Sequence, residues 1–181
     1  MAELVFAEDG IVEDADAYPL MLHLVACLGG TLEARGLPTP CFLGLVPGDS
    51  QYLACGECDD GKCGSAWVRL VREYPSLNFP AQEQENAKCG TRVAWVIEVG
   101  VIRCAPTINP DGSGPGVEEQ LASTRVQLAD KAAMKAAIAC CVQSYRVSGK
   151  PVPYVLGSYS PSPFMGGCGG GSWEVTIGGA V

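Results

Sequence analysis

Residues 92–104, RVAWVIEVGVIRC, constrain the fold more than any other stretch of this chain. β-Branched and aromatic residues dominate the segment, and both faces of the pleat are mainly apolar, a pattern suited to a strand covered on both sides. It is therefore expected at the centre of a sheet. Glu98 and Arg103 are its polar exceptions, and Gly100 marks either a bulge or a close backbone approach.

The flanking sequence supplies the rest of the layers. An apolar helix is expected from Tyr18 to about Arg35, capped by Asp16, with Pro19 in its first turn and Gly36 and Pro38 closing it. Apolar residues surround most of it, which predicts burial in its own fold or against a neighbour. Residues 41–46 form a short candidate strand, and 51–64 a turn-rich loop. Residues 66–74 read as a better strand, with Trp67, Arg69 and Val71 on one face and Val68, Leu70 and Arg72 on the other. A loop containing Phe79-Pro80 follows.

The span 117–142 reads as a helix, acidic at its start (Glu118, Glu119), with Lys131 and Lys135 further along and a stripe of Leu121, Leu128, Ala132, Ala136 and Ala139. Residues 150–171 are rich in Pro, Gly and Ser, and 173–177 alternate as a last strand. The glycine run 166–171 then serves as a corner into that strand rather than as a linker. These elements predict an α+β fold, a mainly antiparallel sheet with two helices packed on one face. One domain covers 17–181, behind an N-terminal arm, 1–16, that mixes Leu4, Val5 and Phe6 with five later acids.

Charge and composition narrow the function. The chain has 181 residues, nearly half of them hydrophobic, and 20 acids against 12 lysines and arginines, for a net charge of −8. Without a basic stripe, a tight grip on nucleic acid is disfavoured. The longest apolar stretch, 18–32, contains His23, Gly29 and Gly30 and falls short of the roughly 20 residues a membrane span needs. Glu3, Glu8 and Asp9 stand where a secretory leader carries positive charge, so synthesis in a cytoplasm is expected.

Ten cysteines sit awkwardly with that expectation, because cytosolic thiols are held reduced. Three readings stay open: small buried hydrophobes, a zinc site, or disulfides formed after release from the cell. Cys55, Cys58, Cys63 and Cys89 are the candidate zinc ligands, since Cys55 and Cys58 have the spacing that lets two thiolates clasp one ion. A second such pair is missing, and disulfides within this cluster are the competing reading. Cys140 and Cys141 point about 100° apart on a helix, so they cannot both face one partner; one of them meets Cys104 or Cys168 if the last strand packs beneath that helix.

His23, the single histidine, lies among apolar residues and is read as a packed side chain rather than a base. No nucleophile elbow, phosphate-binding loop or dinucleotide fingerprint occurs. No enzyme activity and no cofactor are expected. Trp67, Trp95 and Trp173 are read as core or interface anchors, because cationic neighbours that would favour base stacking are sparse.

Several spaced motifs carry a resemblance: CGSAWVRLV at 63–71, Tyr74-Pro75-Ser76, Phe79-Pro80, EVGVIRCAP at 98–106, a helix with a central Asp130, and GGCGGGSWEVT at 166–176. Together they resemble head–tail connector proteins of actinobacterial long-tailed (siphovirus) phages, and among these the chain is most similar to tail terminators. The similarity spans roughly residues 15–177. It implies a structural virion protein of the phage neck, assembled in the host cytoplasm. Copies would form a hexameric ring that caps the tail tube and docks on the neck stopper protein. DNA would pass through an acidic, non-adhesive lumen, and no membrane would be involved. A stopper or adaptor role, or a small zinc-binding interaction module, are the alternatives. The acidic arm and the spread of Cys55, Cys58 and Cys63 depart from the family pattern.

Overall fold

A computed structural model describes residues 17–48, 57–58, 62–83, 92–147 and 149–179. The arm at 1–16, the expected cap Asp16, and Cys55 and Cys89 lie outside the described residues. In chain order the elements are α1 (Ala17–Ala34), β1 (Phe42–Leu45), the short pair β2 (Glu57–Cys58) and β3 (Lys62–Cys63), β4 (Ser65–Pro75), and β5 (Val93–Cys104). They continue with α2 (Val117–Ser144), the short pair β6 (Arg146–Val147) and β7 (Lys150–Pro151), β8 (Tyr154–Met165) and β9 (Cys168–Gly178).

The apolar strand is indeed central: the five-stranded sheet runs β1-β4-β5-β9-β8, with β5 in the middle. β1 pairs parallel to β4, and the remaining pairs are antiparallel. Trp95, Ile97, Val99 and Val101 of β5 face the helices, while Ala94 and Val96 face the other way onto Tyr74. Both helices bury their apolar side chains in the first of these clusters, giving the α+β architecture with two helices on one face.

α1 buries Leu20, Leu24, Leu28 and Leu32, a stripe at helical spacing. The opposite side is open, with Leu22, Ala26, Gly30 and Glu33 exposed, so burial is confined to one face rather than most of the circumference. The helix extends beyond the 18–32 stretch that falls short of a membrane span, and by length and composition alone α1 is long and apolar enough to cross one. Here the leucine stripe is taken up by the core, and about a third of the helix is buried.

Three local features depart from the sequence-based expectation. β8 occupies the Pro-, Gly- and Ser-rich stretch for which no strand is expected; Pro161 and Pro163 hide it from a propensity reading, yet proline is tolerated on an edge strand, where a missing N–H faces no partner. β4 carries a register shift between Leu70 and Arg72, with Arg72 opposite Val96 and Tyr74 opposite Ala94. Arg72 therefore leaves the Val68/Leu70 face and lies over the Tyr74 ring. In α2 the buried stripe is Asp130, Ala133, Met134, Ala137, Ile138, Cys141 and Val142, not the expected one, because it carries the bulkier side chains beyond the helix midpoint.

The glycine-rich corner is a two-residue hairpin turn. Met165 pairs with Cys168, and Gly166 and Gly167 both have positive φ (58° and 77°), which side-chain-bearing residues rarely adopt. Gly100 is a close approach and not a bulge: β5 pairs with β9 without interruption, and a Cβ at Gly100 would stand 2.1 Å from the Trp67 indole.

The two polar exceptions in β5 are each half of a buried ion pair. Arg69 donates from Nε (2.9 Å) and Nη2 (3.0 Å) to the two carboxylate oxygens of Glu98, which also accepts from Trp67 Nε1 at 2.8 Å. Arg103 donates from Nε (2.6 Å) and Nη2 (2.8 Å) to Asp130 on α2, and from Nη1 (2.7 Å) to the Pro38 carbonyl that follows α1. Two parallel bonds per pair compensate much of the desolvation that burial imposes.

Two outcomes follow for chemical denaturation. Gly100→Ala should cost about 1–3 kcal/mol through overlap with the packed indole, whereas Gly114→Ala, with nothing within 4 Å, should leave the midpoint unchanged; equal midpoints would refute the close-approach reading. Asp130→Ala, which strands a buried guanidinium, should cost about 3–5 kcal/mol, and Arg103→Met with Asp130→Leu should recover much of that loss.

Candidate functional site

Two features stand out from the fold: the thiols, and the uncovered first half of α2. Cys27, facing out of α1 toward α2, bonds to Cys141, with a Cα–Cα distance of 6.3 Å. Cys63, at the end of β3, bonds to Cys104, at the end of β5, with Cα atoms 5.6 Å apart. Cys41 and Cys168 are disulfide-bonded as well. Cys140 is exposed and, among the described residues, is the free cysteine.

Cys63 is committed to Cys104, outside the Cys55/Cys58/Cys63/Cys89 cluster, so its sulfur is not a ligand in this state. Cys55 and Cys89 lie outside the described residues, and for Cys58 only the backbone, in β2, is described. The expectation that Cys140 or Cys141 meets Cys104 or Cys168 is also corrected. The helix turns Cys141 toward α1 rather than toward the sheet's end, and Cys104 is already taken by Cys63.

His23 lies half-buried one turn before Cys27, with Nε2 3.7 Å from that sulfur. Its ring packs against Tyr145 at a centroid distance of 5.3 Å. Trp67 and Trp95 are core anchors, at 0% and 3% exposure. Trp173 is half-buried: its Nε1 donates to the Lys131 carbonyl at 3.0 Å, and Lys135 lies over its ring. Lys131 lies over Tyr159, whose hydroxyl is raised above its ordinary pKa by burial and, to a lesser degree, by the Asp130 carboxylate. These cations serve the packing of α2 onto β8 and β9.

The first half of α2 has almost no core beneath it. From Val117 through Ala122 every residue is exposed, and burial begins only at Asp130. Glu119 accepts from the Gly116 N–H at 2.9 Å, which caps the helix start and lets it persist without tertiary support. Val117 (74% exposed), Leu121 (59%) and Leu128 (58%) fall within about 40° of one another on the helix, forming one apolar line. Ala132 is exposed behind them, with Ala136 and Ala139 half-buried. The stripe legible in the sequence thus exists as a low ridge pointing outward. Ile108, 72% exposed in the loop before α2, adds to the uncovered apolar surface. Underneath, a cleft of about 450 Å³ separates the helix at Val126 and Gln127 from the end of β5 at Arg103 and Cys104.

Within the 106–116 loop, Asp111 accepts from the Ser113 hydroxyl (2.6 Å) and N–H (2.9 Å), and these bonds hold its carboxyl below the usual range. The loop is therefore locally ordered rather than borne by the core.

Residues 27 and 141 escaped the sequence reading because their partnership spans 114 positions, with no local signal of pairing. The uncovered ridge did have a signal. Between residues 117 and 129 the large apolar side chains are only Val117, Leu121, Val126 and Leu128, too thin a set for a buried face. No protein-family model and no curated protein matches the chain.

The thiol arrangement has a direct check. A maleimide added to the unreduced chain should modify Cys140, while Cys27 and Cys141 stay protected until a reductant is added. Peptide mapping reads the sites; equal labelling of Cys140 and Cys141 without reductant would show that the α1–α2 link is not formed.

Proposed function

We propose that the chain is a structural subunit of a long-tailed phage neck that associates with copies of itself into a ring, hexameric by resemblance to tail terminators, at the head-proximal end of the tail tube. The observation that carries this reading is the uncovered half of α2. A 28-residue helix with an outward apolar ridge gains little from its own fold over its first turns, and a neighbouring copy would bury that ridge. Its small residues let a second backbone approach closely.

Ring association is heterologous: one surface meets a different surface on the next copy, and closure follows from the rotation between them. The ridge supplies one such surface. The net charge of −8 suits a lumen through which DNA moves without adhering. No catalytic group is needed in this role, and the tail tube and the neck stopper are the proposed neighbours.

The test uses particles. A phage lacking this chain should produce overlong tails, or full heads separated from tails, on negative-stain imaging. Wild-type chain supplied in trans should restore joined particles. Leu121→Asp with Leu128→Asp, on the exposed ridge, should keep the monomer's circular dichroism and melting temperature but fail to restore them. Normal particles without the chain would sink the neck assignment; rescue by the double variant would sink the ridge as the contact.

A further inference from the structure

We propose that His23, Cys27 and Cys141 form a redox-gated site for a soft divalent cation, zinc(II), available when the Cys27–Cys141 bond is reduced. His23 and Cys27 stand four residues apart on one face of α1, and Cys141 meets them from α2. Their ligand atoms all lie within 4.8 Å of one another. With Zn–S near 2.3 Å and Zn–N near 2.0–2.1 Å, a tetrahedral ion places neighbouring N and S ligands about 3.6 Å apart and two sulfurs about 3.8 Å apart. The His23 Nε2 to Cys27 Sγ distance, 3.7 Å, already matches the first of these. The two sulfurs need to separate and Cys141 Sγ, within 4.8 Å of the imidazole, to settle at ligand distance from it, which side-chain rotation across a 6.3 Å Cα–Cα gap accomplishes.

The chemistry of the donors selects the ion. Two thiolates and a neutral imidazole favour zinc over magnesium or calcium, and together they neutralise its charge, which suits a site that is half-buried. The Tyr145 ring packed on His23 restricts the imidazole's orientation. Among the described residues no fourth histidine, cysteine or carboxylate joins the cluster, so water completes the tetrahedron.

The gate is stoichiometric. A dithiol reductant supplies two electrons and two protons to the Cys27–Cys141 bond and is itself oxidised to a disulfide. The ion then displaces the two thiol protons and binds both sulfurs. Disulfide and metal use the same sulfur atoms and exclude each other. Either one ties α1 to α2, so the helix pair is clamped in reducing and in oxidising surroundings alike.

The test is a zinc titration of the full chain, reduced with a phosphine and competed against a chromophoric chelator. Cys27→Ser should bind one equivalent fewer than wild type, Cys140→Ser should bind as wild type does, and His23→Ala should weaken that equivalent by at least about tenfold. Unreduced chain should lack it. Because any zinc held by the Cys55/Cys58 segment adds a separate equivalent, Cys58→Ser serves as reference and should retain the His23-dependent one. His23→Ala leaves the crosslinking sulfurs in place, so its effect does not depend on a folding defect; cobalt(II) spectra of the reduced chain should lose tetrahedral character in this variant. Equal stoichiometry in wild type and Cys27→Ser, or an unchanged affinity and cobalt spectrum in His23→Ala, would overturn the site.

Discussion

The bidentate contact between Arg103 and Asp130 organises much of this structure. It lies where the central strand, the long helix and the segment following α1 converge, and one guanidinium serves all three through Asp130 and the Pro38 carbonyl. With both side chains under a tenth exposed, neither charge has water as an alternative partner. The pair thereby sets the rotation of α2 about its axis. Once Asp130 is turned inward, Ala133, Met134, Ala137 and Ile138 must face the sheet, and Leu121 and Leu128 must face away. The outward ridge is a consequence of the salt bridge as much as of hydrophobicity.

That coupling explains what could and could not be read beforehand. The central strand and both helices were legible because periodicity and β-branched content are local properties. Arg103 was visible as an exception in an apolar strand, and Asp130 only as a central residue of the long helix, but their pairing across 27 positions was not. Without it, Ala132, Ala136 and Ala139 looked as good a buried face as the true one, although the leucines before them are too sparse to make one. β8 was illegible for a different reason: its prolines and serines are poor strand formers, and only its position at the sheet edge makes them acceptable. The bulge at Val71 is similar: a one-residue offset inverts a pattern of period two, but with Arg69 on one expected face and Arg72 on the other the inversion is masked.

The cysteines show the widest gap between sequence and structure. Their number suggested crosslinks or metal, while spacing pointed to the 55–63 segment; the described pairs instead join distant elements, helix to helix and strand end to strand end. Linking residues 114 apart constrains the unfolded chain more than a local staple does. A chain proposed to assemble in a bacterial cytoplasm would meet these pairs first as thiols. Before oxidation its fold rests on the apolar core and the buried pairs Arg69–Glu98 and Arg103–Asp130, with the proposed metal clamp between the helices giving way to the disulfide afterwards.

The prolines of β8 carry one more consequence. Pro161 and Pro163 remove hydrogen-bond donors from one outer border of the sheet, and interruptions of its register after Leu156 and Ser162 bend that border out of line. Another chain cannot zip onto it in continuous β fashion. Growth of the sheet from copy to copy, the route to open-ended fibrils, is blocked along this side. Copies that meet along this side do so by laying side-chain surfaces together, a contact whose geometry can close on itself and stop.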